Sequence, residues 1–169
     1  MIPADQHLVL VGLMGTGKSS TGRILAERLG RELRDSDVEI EAQTGRTVRQ
    51  IFRDDGEPAF RALETAVLLA ALDSPEPTVI AAAGGVVLSD ENRAALRAAH
   101  AKVVWLRADP ATLVERVRSG MHRPSLDHDP EGVLRGMHES REPLYREVAD
   151  MIITVDGRSV NDVVEAVLR

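Results

Sequence analysis

Short apolar runs and longer amphipathic stretches alternate along the whole chain. Five runs rich in Val, Ile or Leu, at 7–12, 32–35, 78–82, 102–107 and 151–155, are bounded by turn formers or helical segments and read as strands. Polar and apolar positions recur with helical spacing over 18–29, 36–43, 47–54, 58–72, 90–98, 110–118, 130–147 and 159–168. Gly30 stops the first helix. Asp109-Pro110 and Asp129-Pro130 each set an Asp before a Pro, the order favoured at a helix start. Strands alternating with helices imply a mostly parallel sheet covered on both faces. Ligands of such sheets lie beyond the carboxyl ends of the strands, so residues just after strands carry the most information.

One stretch breaks the pattern. Residues 118–130 are polar, carry a glycine and two prolines, and have no apolar period. They read as a mobile surface flap, a lid over whatever the strand ends bind.

Composition narrows the rest. A chain of 169 residues suits one domain spanning 1–169. Its aromatic fraction of 2% means an aliphatic core. Its net charge of −6, with no basic stripe, speaks against a nucleic-acid partner. An acidic chain that binds a polyanion must do so through individual Arg and Lys side chains. There is no cysteine, hence no disulfide framework and no thiolate metal site. No apolar window approaches the length of a membrane span and no signal-peptide pattern opens the chain, so a cytoplasmic protein is expected.

The chemistry starts at Gly12-Leu13-Met14-Gly15-Thr16-Gly17-Lys18-Ser19, a G-x-x-x-x-G-K-S motif between a strand and a helix. In that setting the backbone N–H groups from Gly15, Thr16 and Gly17 to Lys18, Ser19 and Ser20 point at phosphate oxygens. Lys18 supplies a charge for the β- and γ-phosphates and the Ser19 hydroxyl a ligand for Mg²⁺. Asp35-Ser36-Asp37 follows the second strand. Its carboxylates can divide metal binding and handling of an acceptor hydroxyl between them, or can simply cap a helix. Arg61 and Glu64 stand three apart, either as an ordinary surface ion pair or as an arginine held to face an anionic substrate group. Ala83-Gly84-Gly85 closes the third strand with glycines that permit a tight turn or the close approach of a ligand. Arg123 lies in the flap and Arg141 on a later helix; each reads as a solvated charge or an anion contact. The five histidines have no metal-binding spacing and read as structural or solvated.

These residues describe a small kinase whose acceptor is both hydroxylated and anionic. Two alternatives stand beside it. One is a kinase of the same fold acting on another small hydroxy acid, such as gluconate, or on a nucleotide. The other is an inactive ATP-binding regulatory module, which would be expected to lack Lys18, Asp37 or Arg123.

The ordered set of motifs resembles the shikimate kinase family over nearly the whole chain: G-L-M-G-T-G-K-S at 12–19, D-S-D at 35–37, T-G-R-T-V-R-Q-I-F at 44–52, G-E-P-A-F-R-A-L-E at 56–64, G-G at 84–85, R-P at 123–124 and R-E-P-L-Y-R at 141–146. The resemblance implies a three-layer α/β/α P-loop kinase of the nucleoside-monophosphate-kinase type. Its five-stranded parallel sheet would run 2-3-1-4-5, with an acceptor-binding subregion near 36–65 and a lid near 118–130. It implies transfer of the ATP γ-phosphate to the 3-hydroxyl of shikimate, with Mg²⁺, by a monomer that binds neither membrane nor nucleic acid. Carried over by position, Lys18, Asp37 and Arg123 would be catalytic, and Ser19 and Asp35 would hold the metal. Asp37, Arg61, Arg141 and the Gly84–Gly85 backbone would bind the acceptor, and Arg118, Arg123 and Arg158 would contact the nucleotide. The chain departs from the family at Ala83, where a glycine is usual, and at Ser125, where leucine is frequent. The first is expected to tighten the pocket and the second to weaken lid closure.

Overall fold

The carboxyl edge of the sheet is set by its register. The computed structural model describes residues 1–119 and 128–169. Its strands are β1 (His7–Val11), β2 (Leu33–Asp35), β3 (Val79–Ala81), β4 (Ala101–Arg107) and β5 (Met151–Thr154), in the order β2-β3-β1-β4-β5 with every pairing parallel. Ala81 lies beside both Leu10 and Asp35, so the segments leaving β1, β2 and β3 emerge at one level. The order expected from the family resemblance is the order found.

Every residue of β1 is buried, which requires cover on both sides of the sheet. The helices are α1 (Lys18–Leu29), α2 (Ser36–Thr44), α3 (Val48–Asp55), α4 (Glu57–Leu72), α5 (Asp90–Ala98), α6 (Pro110–Arg118), α7 (Pro130–Val148) and α8 (Val160–Leu168). Helix α1 packs on β1, β2, β3 and α8, while α5 packs against both α4 and α7. The main core is aliphatic, as the composition requires. Trp105 is buried within it and stacks on Tyr145 with ring centres 5.6 Å apart. Helices α2 to α4 enclose a separate small cluster of Ile40, Val48, Ile51, Phe60 and Val67, with Phe52 and Leu63 against it. His7 is buried at the start of β1 and bonds Thr78 through Nδ1; burial pushes its pKa down, which fits a structural role. No helix among the described residues is long and apolar enough to cross a membrane.

Periodicity placed the elements to within a residue or two. Among the described residues, the one it did not mark is a 3₁₀ turn at Val86–Leu88, shorter than one helical period. Helix caps explain the accuracy of the boundaries. Thr47 with Gln50 and Ser159 with Asp162 form capping boxes, and Asp129 accepts from Gly132 N. Asp109 departs from its expected role, since its side chain makes no cap on α6. Asp156, in the loop after β5, does that work across the sheet edge: its Oδ1 accepts from Asp109 N at 3.0 Å and from Thr112 Oγ1 at 2.6 Å.

Burial works against the Asp156 charge, but the Thr112 and Asp109 hydrogen bonds outweigh it and hold the carboxyl below the ordinary aspartate range. The charged form therefore stabilises the fold above the usual aspartate pKa, and that contribution is lost as pH falls through the lowered value. Asp156→Ala is expected to cost about 1 kcal/mol at neutral pH, as for a lost helix cap. In urea melts the gap between variant and wild type should shrink as pH falls from about 5 to about 2.

Candidate active site

The site is built from the three segments that leave β1, β2 and β3, with one wall added by α7. The loop after β1 starts at Gly12, whose φ of +146° lies in the region that favours glycine; a Cβ there would sit 2.5 Å from the Leu106 carbonyl oxygen. Thr16 is buried under the loop and ties it to Leu13 O, through Oγ1 at 2.8 Å and its backbone N–H at 3.3 Å. It braces the loop from beneath and does not line the cavity, whereas Gly15, Gly17, Lys18, Ser19 and Ser20 do. The Lys18 ammonium donates to Gly12 O at 2.6 Å and Leu13 O at 2.9 Å, which holds it at the mouth of the loop.

Asp35 takes the capping role and also meets the phosphate loop. It is the N-cap of α2, accepting from Val38 N at 3.4 Å, and its Oδ2 accepts a short hydrogen bond from Ser19 Oγ. A hydroxyl and a carboxylate oxygen thus meet beside Lys18. Asp37, in the first turn of α2, faces the same cavity.

Across the cavity, α4 presents Arg61. Nη1 donates to Glu64 Oε1 at 2.5 Å, while Nη2 and Nε reach Glu57 Oε1 at 3.1 and 3.3 Å. The guanidinium also lies 5.6 Å from the centre of the Phe60 ring. Glu64 is only 2% exposed, so this is no ordinary surface pair. Burial works against the Arg61 charge, but Glu64 and Glu57 outweigh it and raise its pKa further. Burial pushes the Glu64 carboxyl up; Arg61 and Arg141 oppose that push and Asp37 adds to it. Arg141, on α7, is 6% exposed and also lines the cavity. Gly84 and Gly85 form the floor. A Cβ on Gly85 would lie 1.8 Å from Arg61 Nη1, so the arginine reaches its place only because that position is bare.

The cavity enclosed by these residues has a volume of about 280 Å³ and also takes in Ala83, Phe52 and Phe60. Of the expected site residues, the structure brings together Gly15, Gly17, Lys18, Ser19, Ser20, Asp35, Asp37, Arg61, Gly84, Gly85 and Arg141. Arg118 and Arg158 are exposed and do not line this cavity. Arg123 and Ser125 lie outside the described residues. One contact was not anticipated: Arg116 Nη1, on α6, donates to Gly15 O at 2.7 Å. Two residues apart on a helix point to nearly opposite sides, so a shift of two from Arg118 changes which side chain meets the loop. The buried pair Leu113 and Val114, which fixes the inner face of α6, was the available signal.

A phosphate-binding loop set against acidic and guanidinium groups, at the carboxyl edge of a parallel 2-3-1-4-5 sheet, defines a P-loop kinase for a small anionic acceptor. Known proteins narrow the class. The family model described as shikimate kinase matches residues 14–169. A shikimate kinase of Symbiobacterium thermophilum is 47% identical, over 96% of this chain and 94% of that protein. One of Pseudomonas entomophila is 45% identical, again over 96% and 94%. Among solved structures, the shikimate kinase of Acinetobacter baumannii in complex with shikimate superposes with a TM-score of 0.91 at 39% identity, covering 96% of this chain and 90% of that one. A gluconokinase of Sinorhizobium meliloti shares the fold, with a TM-score of 0.63 at 21% identity. The chain belongs to the shikimate kinase family and is an ATP-dependent phosphotransferase.

Gly85→Ala should displace the Arg61 guanidinium without touching the phosphate loop. The expected result is a KM for shikimate raised about tenfold, with the KM for ATP unchanged within about twofold. Steady-state kinetics with each substrate varied in turn checks it.

Proposed function

We propose that this protein transfers the γ-phosphate of ATP to the 3-hydroxyl of shikimate in the cytoplasm, where ATP is supplied, and that the cavity divides the two anions between its walls. The supporting observation is the presence in one cavity of Lys18 on the phosphate loop, Asp37 on α2, and the arginines Arg61 and Arg141. A hydroxylated carboxylic acid is the acceptor that uses all of them. The guanidinium groups and the backbone N–H groups of Gly84 and Gly85 would bind its carboxylate, and Asp37 its hydroxyls.

Phosphoryl transfer has a loose transition state, so alignment and charge neutralisation do most of the work. The backbone N–H groups of Gly15, Gly17, Ser19 and Ser20 would receive the phosphate oxygens, with Lys18 countering charge on the β- and γ-phosphates. The oxygen donors of Ser19 and Asp35 meet side by side, a donor set that fits Mg²⁺. No group of three or more His, Cys, Asp or Glu is arranged to hold a metal among the described residues, and this ion needs none, because water and phosphate oxygens complete its shell. When bound, Mg²⁺ would neutralise negative charge on the β- and γ-phosphates. Asp37 would orient the attacking hydroxyl and take up its proton as the bond to phosphorus forms. Fixing the carboxylate at Arg61 and Arg141 would hold that hydroxyl in line. Arg123, on the R-P motif outside the described residues, is assigned to the transferred phosphoryl group, and helices α2 to α4 to the acceptor side.

ADP release measured with shikimate, quinate, gluconate and nucleoside monophosphates tests the acceptor directly. Shikimate should exceed every other compound in kcat/KM by at least about a hundredfold; preference for any other acceptor overturns the assignment. Lys18→Met should lower kcat by about a thousandfold or more while the thermal melt stays within a few degrees of wild type. Unchanged turnover would remove Lys18 from the mechanism.

A further inference from the structure

Tyr145 is the only tyrosine in the chain, and its hydroxyl joins two parts of the acceptor wall. It lies on α7, one helical turn after Arg141, and is 1% exposed with its ring stacked on Trp105. Its Oη donates to the Gly84 carbonyl oxygen at 2.5 Å, and the Arg141 charge acts on the phenol. A phenol has one proton to give and lone pairs to receive. Gly84 O can only accept, so the direction of the bond is fixed: Tyr145 O–H to Gly84 O. Burial pushes the phenol far above its usual pKa, so the proton that reaches Gly84 stays in place at any working pH.

The consequence lies in the peptide. The bond between Gly84 and Gly85 is trans, so the Gly84 carbonyl and the Gly85 N–H share one plane and point oppositely. Glycines on both sides of this peptide leave it free to rotate unless something holds it. Tyr145 holds it by the oxygen. Arg141 lies one helical turn before Tyr145 on α7, and Gly85 lies directly against Arg61. One buried O–H therefore ties the helix that carries Arg141 to the backbone beside Arg61.

We propose that Tyr145 is a positioning residue for acceptor specificity: its hydroxyl ties α7, which carries Arg141, to the Gly84–Gly85 peptide and holds the two in the mutual geometry that a carboxylate requires, and so sets the preference for an acid over its neutral ester. This rests on the carboxylate reading above. The step is one of alignment only; no proton leaves Tyr145.

Tyr145→Phe removes the hydroxyl and keeps the ring on Trp105. The expected outcome is a KM for shikimate raised about tenfold with the KM for ATP unchanged within about twofold. The ratio of kcat/KM for shikimate over shikimate methyl ester should fall by a similar factor. Trp105→Phe is the packing control: a lower melting temperature with that ratio retained. Because the chain has a single tyrosine, wild-type protein grown with 3-fluorotyrosine reports on Tyr145 without a mutation. Its one ¹⁹F resonance should shift on saturation with shikimate and stay in place with the methyl ester. A ratio retained in Tyr145→Phe, or a resonance unmoved by shikimate, overturns the proposal alone. A wild-type enzyme that treats acid and ester alike overturns the carboxylate reading and this proposal together.

Discussion

The phosphate loop depends on one contact between backbones. Gly12 passes so close to the end of β4 that any side chain would meet the Leu106 carbonyl. That approach seats the loop on the sheet edge, and the rest of the site is measured from it. The Gly12 carbonyl accepts from the Lys18 ammonium. A Cβ on Gly84 would lie 3.4 Å from Met14 N and 3.5 Å from Gly12 O, so the floor of the acceptor wall rests on the same loop. Arg116 fastens Gly15 from a third side. The phosphate cradle and the acceptor floor thus touch through main chain, and their separation does not depend on flexible side chains. In-line transfer needs that fixed separation more than any single functional group.

Charge is handled the opposite way, by side chains in opposed pairs. An acidic protein that gathers two anionic substrates in one crevice must keep its cations concentrated there. Arg61 does so while bound to Glu57 and Glu64, which subtract from its net charge but fix its direction. A carboxylate as buried as Glu64 is a poor stabiliser, because loss of water nearly cancels the attraction of its partner. Its placement makes sense as aiming. The pair costs little or nothing to keep, and it delivers a guanidinium over Gly85 at an angle that a loose arginine would hold only part of the time.

What could be read in the sequence follows from which interactions are local. The strands and helices were legible because periodicity and caps are properties of neighbouring residues, as Thr47 with Gln50 and Ser159 with Asp162 show. The phosphate loop was legible for the same reason. Contacts that span the fold were not. Asp156 capping α6 from beyond β5, Arg116 reaching Gly15, and Tyr145 reaching Gly84 join residues between 44 and 101 positions apart. Nothing in their own neighbourhoods marks them. Arg61 was an intermediate case: its spacing from Glu64 fitted a surface pair equally well, and only the burial of Glu64 distinguishes the two readings. At Asp35 the helix cap and the contact with the phosphate loop use different oxygens of one carboxylate.

The two walls also differ in how freely they can change. The phosphate side is made of backbone seated on the main core, where an added methyl carbon meets a carbonyl. The acceptor side is made of side chains carried largely by α2 to α4, which pack on an apolar cluster of their own. Substitutions there can alter pocket shape and charge while the sheet edge keeps its geometry. The gluconokinase at 21% identity shares the scaffold. Ala83 sits at the boundary. It is buried, follows β3 and lines the cavity, while the next residue, Gly84, makes the contact that keeps the two walls in register, so side-chain variation at this turn stops where the main chain of the phosphate loop begins.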